Sequence, residues 1–243
     1  MTHRPAARSI FWPSFFSVIA FLMLIGLGTW QVERLFWKEG LIAARQAAMN
    51  AAPAEVPRSL AAARGLDFHR VRATGTFLND HELYLGATDK DGHPGYQVIT
   101  PLKLGDGSIL LVNRGFVPQP KRAPASREAG ELHGETTVTG LLRLAPERKP
   151  HWFLPDNNAA RNYWLYVDIA AMAAADHLDQ VLPFYVDADA TPNPGGLPIG
   201  GQTRLELPNN HLQYAITWYA LALALVVIAV RFIRRRRAEG GVS

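Results

Sequence analysis

Two stretches of this 243-residue chain, 9–32 and 207–230, contain no Asp, Glu, Lys or Arg. No other feature constrains the fold as strongly. A backbone carried through hydrocarbon must satisfy its own N–H and C=O groups, so each stretch has to be helical. About 20 apolar residues cross roughly 30 Å of hydrocarbon. The sequence therefore predicts transmembrane helices over 10–30 and, within 207–230, over 212–230. The mean hydropathy of -0.02 conceals them, because it averages them with a polar middle.

A cleaved signal sequence would also place an apolar run behind Arg4 and Arg8. This run is longer than a signal's apolar region, which argues against cleavage. Residues 1–9 are too few for an amphipathic transit peptide, so a bacterial inner membrane protein is the expected class. Basic residues set orientation. Arg4 and Arg8 precede the first helix, while Arg231 and the run 234–237 follow the second. Both termini are expected in the cytoplasm and the middle, 31–206, in the periplasm, with 231–243 a basic cytoplasmic tail. The net charge of +4 thus reads as a topology anchor in contact with membrane lipids, not as a nucleic-acid surface. Absence of cysteine excludes disulfides, CxxC redox motifs, thiolate copper sites and covalent c-type haem.

Residues 38–50 are mostly good helix formers and should carry the first helix out of the membrane, until Pro53 and Pro57 stop it. Alternation and β-branched residues predict strands at 68–78, 81–87, 96–104, 108–117, 135–145, 163–167 and 181–187. A helix over 168–177 takes Asp168 as its N-cap. The fold class expected is a membrane protein whose two transmembrane α-helices flank a mainly antiparallel β (α+β) extracytoplasmic domain, a small sheet or barrel.

No hydrolase, P-loop, dinucleotide or HExxH motif occurs. The eight histidines show no ligand-like spacing. His69 and His81 could meet across a hairpin, although solvated strand histidines are the plainer reading. Asn113 and Arg114 end the apolar run Ile109-Leu110-Leu111-Val112. They could brace a loop by hydrogen bonds or present a cation to a partner.

The membrane border carries more chemistry. Trp30, Arg34 and Trp37 fall at i, i+4 and i+7, with Gln31, Arg34 and Lys38 on an adjoining face. They form either an aromatic belt with snorkelling cations or a site for a flat anionic ligand. On the second helix His211, Tyr214, Ala215, Trp218 and Ala222 share a stripe, and the two alanines would let a flat ligand or a neighbouring helix come close. His211 follows Asn209 and Asn210, so it falls in the first helical turn. The helix dipole there disfavours imidazolium, and neutral imidazole is the form that binds a metal. A cap and a ligand both remain open for it on these grounds.

Residues Gly28-Thr29-Trp30-Gln31-Val32-Glu33-Arg34-Leu35-Phe36-Trp37-Lys38, Leu111-Val112-Asn113-Arg114-Gly115-Phe116-Val117-Pro118 and Asn209-Asn210-His211-Leu212-Gln213-Tyr214-Ala215-Ile216-Thr217-Trp218-Tyr219 closely resemble three blocks of the Surfeit locus protein 1 family. Phe116 stands where that family commonly has Trp. The resemblance implies a non-enzymatic assembly factor for haem-copper cytochrome c oxidase in the respiratory chain. Its partners would be oxidase subunit I and haem a synthase, and its cofactor haem a, transiently bound. It also implies His211 as the haem iron ligand. Helical geometry adds Tyr214, Trp218 and Trp30 as ring contacts and Arg34 as a propionate contact, provided Gly26 and Gly28 let the helices close up. A cofactor-free scaffold that holds an assembly intermediate is the rival expectation. An enzyme of haem modification lacks any visible acid-base or redox set.

Overall fold

The computed structural model describes residues 11–89, 91–203 and 209–240. The chain divides into two units, 1–44 with 206–243, and 45–205.

The first unit holds two helices. Helix α1 (Phe11–Asn50) is unbroken from the apolar stretch through 38–50, as the helix-forming residues there predict. Helix α4 (His211–Gly240) runs straight on from its apolar stretch into the arginine run. Asn210 stands just before it, and its carbonyl accepts from Tyr214 N at 3.2 Å, the bond an N-cap residue makes. Position 207–208 of the predicted segment, and residues 1–10, lie outside the described residues.

Among the less exposed residues of α1, Ser14, Ser17, Phe21, Leu24, Gly28, Gln31 and Leu35 recur at alternating steps of three and four. Those of α4, His211, Ala215, Trp218, Ala222, Leu225 and Ala229, do the same. That is a heptad seam, the pattern of two helices wound about each other. The pair is antiparallel: Gln31 meets His211, and Gly28 meets Tyr219 further along both helices. Away from the seam, side chains such as Leu22, Met23, Leu223 and Ile228 stand exposed. Both helices are long and apolar enough to cross a membrane, and these outward faces are compatible with a membrane protein.

The second unit is a closed β-barrel with additions. Its strands are β1 (Ala54–Glu55), β2 (Arg70–Phe77), β3 (Leu83–Thr88), β4 (Pro94–Leu104), β5 (Ile109–Pro118), β6 (Glu135–Leu144) and β7 (Val181–Ala188). Two short helices, α2 (Leu60–Arg64) and α3 (Ile169–Ala175), complete it. The order β1-β2-β6-β7-β5-β4-β3 closes because β2 also pairs with β4, through Gly75, Thr76 and Phe77. Five strands thus form the barrel, with β1 beside β2 and β3 beside β4 as appendages. Closure removes edges that would otherwise offer unpaired backbone groups. Most pairings are antiparallel; β1–β2 and β5–β7 are parallel.

Alternation along the strands fills the interior with Val71, Ala73, Leu102, Leu110, Val112, Leu142 and Phe184. The opposite face of β5 and β7 is also buried: Leu111 and Tyr185 pack with Trp164, Ile169 and Met172 beneath α3. Burial on both faces is why 109–112 reads as a continuous apolar run. Asp168 does cap α3, accepting from Ala171 N at 3.0 Å.

One expectation fails here, and one open possibility is closed. Residues 163–167 form no strand. Trp164 makes only an isolated bridge to Leu85, where Gly86 N donates to Trp164 O at 2.7 Å. His69 and His81 do not meet, because β2 pairs with β1, β4 and β6 and never with β3. His81 Nδ1 instead lies 3.0 Å from Asp176 Oδ2.

Candidate functional site

The end of the helix pair where Gln31 meets His211, its mouth, gathers most of the residues singled out from sequence. His211 opens α4, half-buried on the seam, and its Nδ1 lies 2.6 Å from Gln31 Oε1 on α1. Trp218, two turns on, is also half-buried on the seam. Its Nε1 is buried and finds no hydrogen-bond partner among the described residues, nor does Asn209 Oδ1. Orphaned polar atoms cost free energy on the order of 1–3 kcal/mol each when desolvated. Asn209 precedes His211 by two residues and Trp218 follows it by two turns, so both orphaned atoms lie at the His211 end of the helix pair.

Tyr214, Trp30 and Arg34 are off the seam; Tyr214 is 54% exposed and Trp30 49%. At about 100° per residue, Trp30 lies about 100° and Arg34 about 60° round α1 from Gln31, and Tyr214 about 60° round α4 from His211. In an antiparallel pair these offsets turn to the same side. The five candidate residues thus occupy one flank of the mouth, with His211 and Trp218 at its inner edge. The Arg34 guanidinium lies 4.5 Å over the Trp37 ring, so α1 itself holds it against an aromatic face.

Around Gly28 and Tyr219 the space between the helices is closed, whereas an apolar cavity of about 220 Å³ opens further along, between Ser14, Ser17 and Phe21 of α1 and Leu225, Ala229 and Ile233 of α4. A Cβ at Gly28 would come within 2.8 Å of the Tyr219 ring, and Tyr219 Oη reaches Thr29 Oγ1 at 3.2 Å. Ala215 and Ala222 are each 2% exposed. The alanine stripe therefore serves the neighbouring helix, not a ligand slotted between helices. Of the two glycines expected to permit this approach, Gly28 does so and Gly26 meets nothing within 4 Å.

Asn113 and Arg114 lie in the barrel unit and are buried. Asn113 Nδ2 donates to Asp187 Oδ1 at 2.8 Å and to Gln97 Oε1 at 3.0 Å, while its Oδ1 accepts from Gly115 N at 3.2 Å. Arg114, 2% exposed, donates to Gly130 O and, at 3.1 Å, to Asn193 Oδ1, and lies 4.8 Å over the Phe77 ring. Burial lowers its guanidinium below the ordinary value. Of the two roles open from sequence, this is the bracing one: the pair ties β5 to the loops at 130 and 193 and offers no surface cation.

A second buried arginine was missed. Arg127 donates to both carboxylate oxygens of Glu82, at 3.0 Å to Oε1, and Tyr84 Oη donates to Glu82 Oε2 at 3.1 Å. Burial, the largest single influence, would lower Arg127, but hydrogen bonding to Glu82 and the charges of Glu82, Tyr84 and Glu131 together outweigh it and hold the guanidinium above its usual value. The cluster pins the 118–134 segment to β3. Nothing in the spacing of Glu82 and Arg127 announces this, since 45 residues separate them. Donor atoms of Asp89, Asp91 and His93 also lie within 4.8 Å of one another on the exposed β3–β4 turn, where Asp89 Oδ1 already accepts from Asp91 N and His93 N. The other missed residue is Gln31, which the sequence reading places on the border face without a role. Its position on the 14-17-21-24-28-31 seam was the available signal.

A family model described as the SURF1 family matches residues 18–223. The chain is 38% identical over 228 residues to the SURF1-like protein of Monosiga brevicollis, covering 88% of this chain and 85% of that one. It is 38% identical over 240 residues to Surfeit locus protein 1 of Mus musculus (88% and 76%), and 40% over 225 residues to that of Takifugu rubripes (84% and 92%).

Proposed function

This chain belongs to the SURF1 family, and from that premise we propose that it is a non-enzymatic assembly factor for haem-copper cytochrome c oxidase. In this reading it binds haem a at the mouth of the helix pair and passes it to oxidase subunit I, with haem a synthase as the supplier. The observation that carries the proposal is the half-buried His211 at the start of α4, bonded to Gln31, with the orphaned Asn209 Oδ1 two residues before it and the orphaned Trp218 Nε1 two turns after it on the same seam.

The donor set suits such a cargo. One imidazole without a second strong ligand fits a cargo that must be released. Tyr214, Trp218 and Trp30 supply aromatic faces, and Arg34 supplies a guanidinium for a carboxylate. Haem a, when bound, brings an iron for an imidazole nitrogen, a flat apolar ring and two propionates. Because Tyr219 and the alanines close the seam, the ring belongs on the flank and not between the helices. We place the chain in a bacterial inner membrane, both termini cytoplasmic and the barrel periplasmic. The support is the basic residues at the outer ends of both apolar stretches. A reporter fused after Ser243 should behave as cytoplasmic; periplasmic activity would overturn the topology.

The functional test is spectral. The full chain, purified from cells that make haem a, should show bound haem in its visible spectrum, and His211→Ala should lose most of it. A haem-free wild type leaves only the scaffold reading. Full retention in His211→Ala keeps the carrier but removes His211 as ligand.

A further inference from the structure

Gln31 is a polar seam residue of α1 whose side chain is bonded to the polar mouth of α4. Its Oε1 lies 2.6 Å from His211 Nδ1. A carboxamide oxygen has lone pairs and no hydrogen, so at this distance the hydrogen is on the ring nitrogen. Neutral imidazole carries one N–H. With Nδ1 donating to Gln31, Nε2 keeps its lone pair, and Nε2 is the ring nitrogen farther from the backbone. The bond also fixes the ring plane, since Gln31 is itself held on the seam between Gly28 and Leu35.

We propose that Gln31 is a positioning residue for His211: it selects the Nδ1–H tautomer and aims Nε2 at the iron. This rests on the reading of His211 as a haem ligand. Metal-binding histidines depend on such a partner for tautomer and basicity. The partner's charge matters as much as its place. A carboxylate at this position would draw the Nδ1 hydrogen away, make the ring a stronger donor and slow release. A carboxamide orients the ring and leaves its donor strength moderate, which suits a carrier.

Two variants separate this role from a simple clamp between helices. Gln31→Leu removes the acceptor; Gln31→Glu keeps it and strengthens it. In the haem-free full chain in nanodiscs, labelled with 15N-histidine, His211 should show the Nδ1–H pattern, and Gln31→Leu should shift it toward Nε2–H. In the haem-loaded protein, Gln31→Leu should weaken retention on the order of 10- to 100-fold. It should also raise the reduction midpoint and lower the ferrous iron–histidine stretching frequency. Gln31→Glu should shift both quantities the opposite way. Equal loss of haem in both variants, or midpoints and tautomer unchanged in both, overturns the proposal. A wild type with the expected tautomer but no haem instead sinks the carrier reading, while the tautomer assignment stands.

Discussion

The Tyr84 hydroxyl illustrates how one buried residue sets a measurable property of the barrel. Burial pushes its pKa up to about 12, and the neighbouring Glu82 carboxylate adds to the effect. Tyr185, buried on the outer face of β7, is likewise raised to about 12, by burial first and Asp187 second. In an unfolded chain both would titrate near 10. A raised pKa means that the folded state holds its proton after the unfolded chain has lost it. The stabilisation is therefore whole below pH 10 and is lost as pH rises through 12. Denaturant unfolding followed by circular dichroism between pH 9 and 12 should show this decline. Tyr84→Phe and Tyr185→Phe should each flatten part of the slope, and the double variant most of it. A wild-type slope unchanged in the double variant would show that neither phenol is shifted. Tyr84→Phe should also cost a roughly constant amount at lower pH, about 1 kcal/mol, because Glu82 loses a donor.

At the scale of elements, the helix pair depends on Gly28 and Tyr219. Any larger side chain at 28 meets the tyrosine ring, so Gly28→Leu should destabilise the pair by about 1–3 kcal/mol. Tyr219→Ala alone should also cost stability, by leaving a void and freeing Thr29 Oγ1. Together the two should recover part of the loss, because leucine then occupies the vacated space. Thermal unfolding of the detergent-solubilised chain reads this, and strict additivity would refute the contact. The same elements show what sequence can tell. The two long helices, the stop at Pro53 and the Asp168 cap follow from local rules, and local rules were enough for them. Six of the seven strands visible as alternation or apolar runs became strands, because their hydrophobic pattern coincides with barrel burial. The seventh, 163–167, failed because Trp164 is buried by tertiary contact with β3 and α3, not by ladder pairing. Barrel closure through β2 and β4 and the parallel β5–β7 pair rest on contacts between distant residues, which no local pattern encodes. At the site, residue types were legible along each helix. The registration of Gln31 opposite His211 required both helices at once.

For the whole molecule, the buried cores and the proposed haem site belong to different units. Every core cluster of the barrel lies within 45–205, whereas His211, Gln31, Trp218, Tyr214, Trp30 and Arg34 all lie in the helix unit. A chain of about 160 residues is long enough to fold on one core, and closure of the barrel leaves it no missing strand. Residues 45–205 alone should therefore be soluble and unfold in one cooperative step. Within that fragment Leu110→Ala, at a position with no exposed surface, should cost about 2–5 kcal/mol. The fragment should also take up no haem a, while the proposed function requires the full chain to do so. Haem retained by the fragment would move the site into the barrel and overturn the assignment to the helix mouth. A fragment that fails to fold would instead show that the barrel needs its helices, and the division of labour between the units would have to be abandoned.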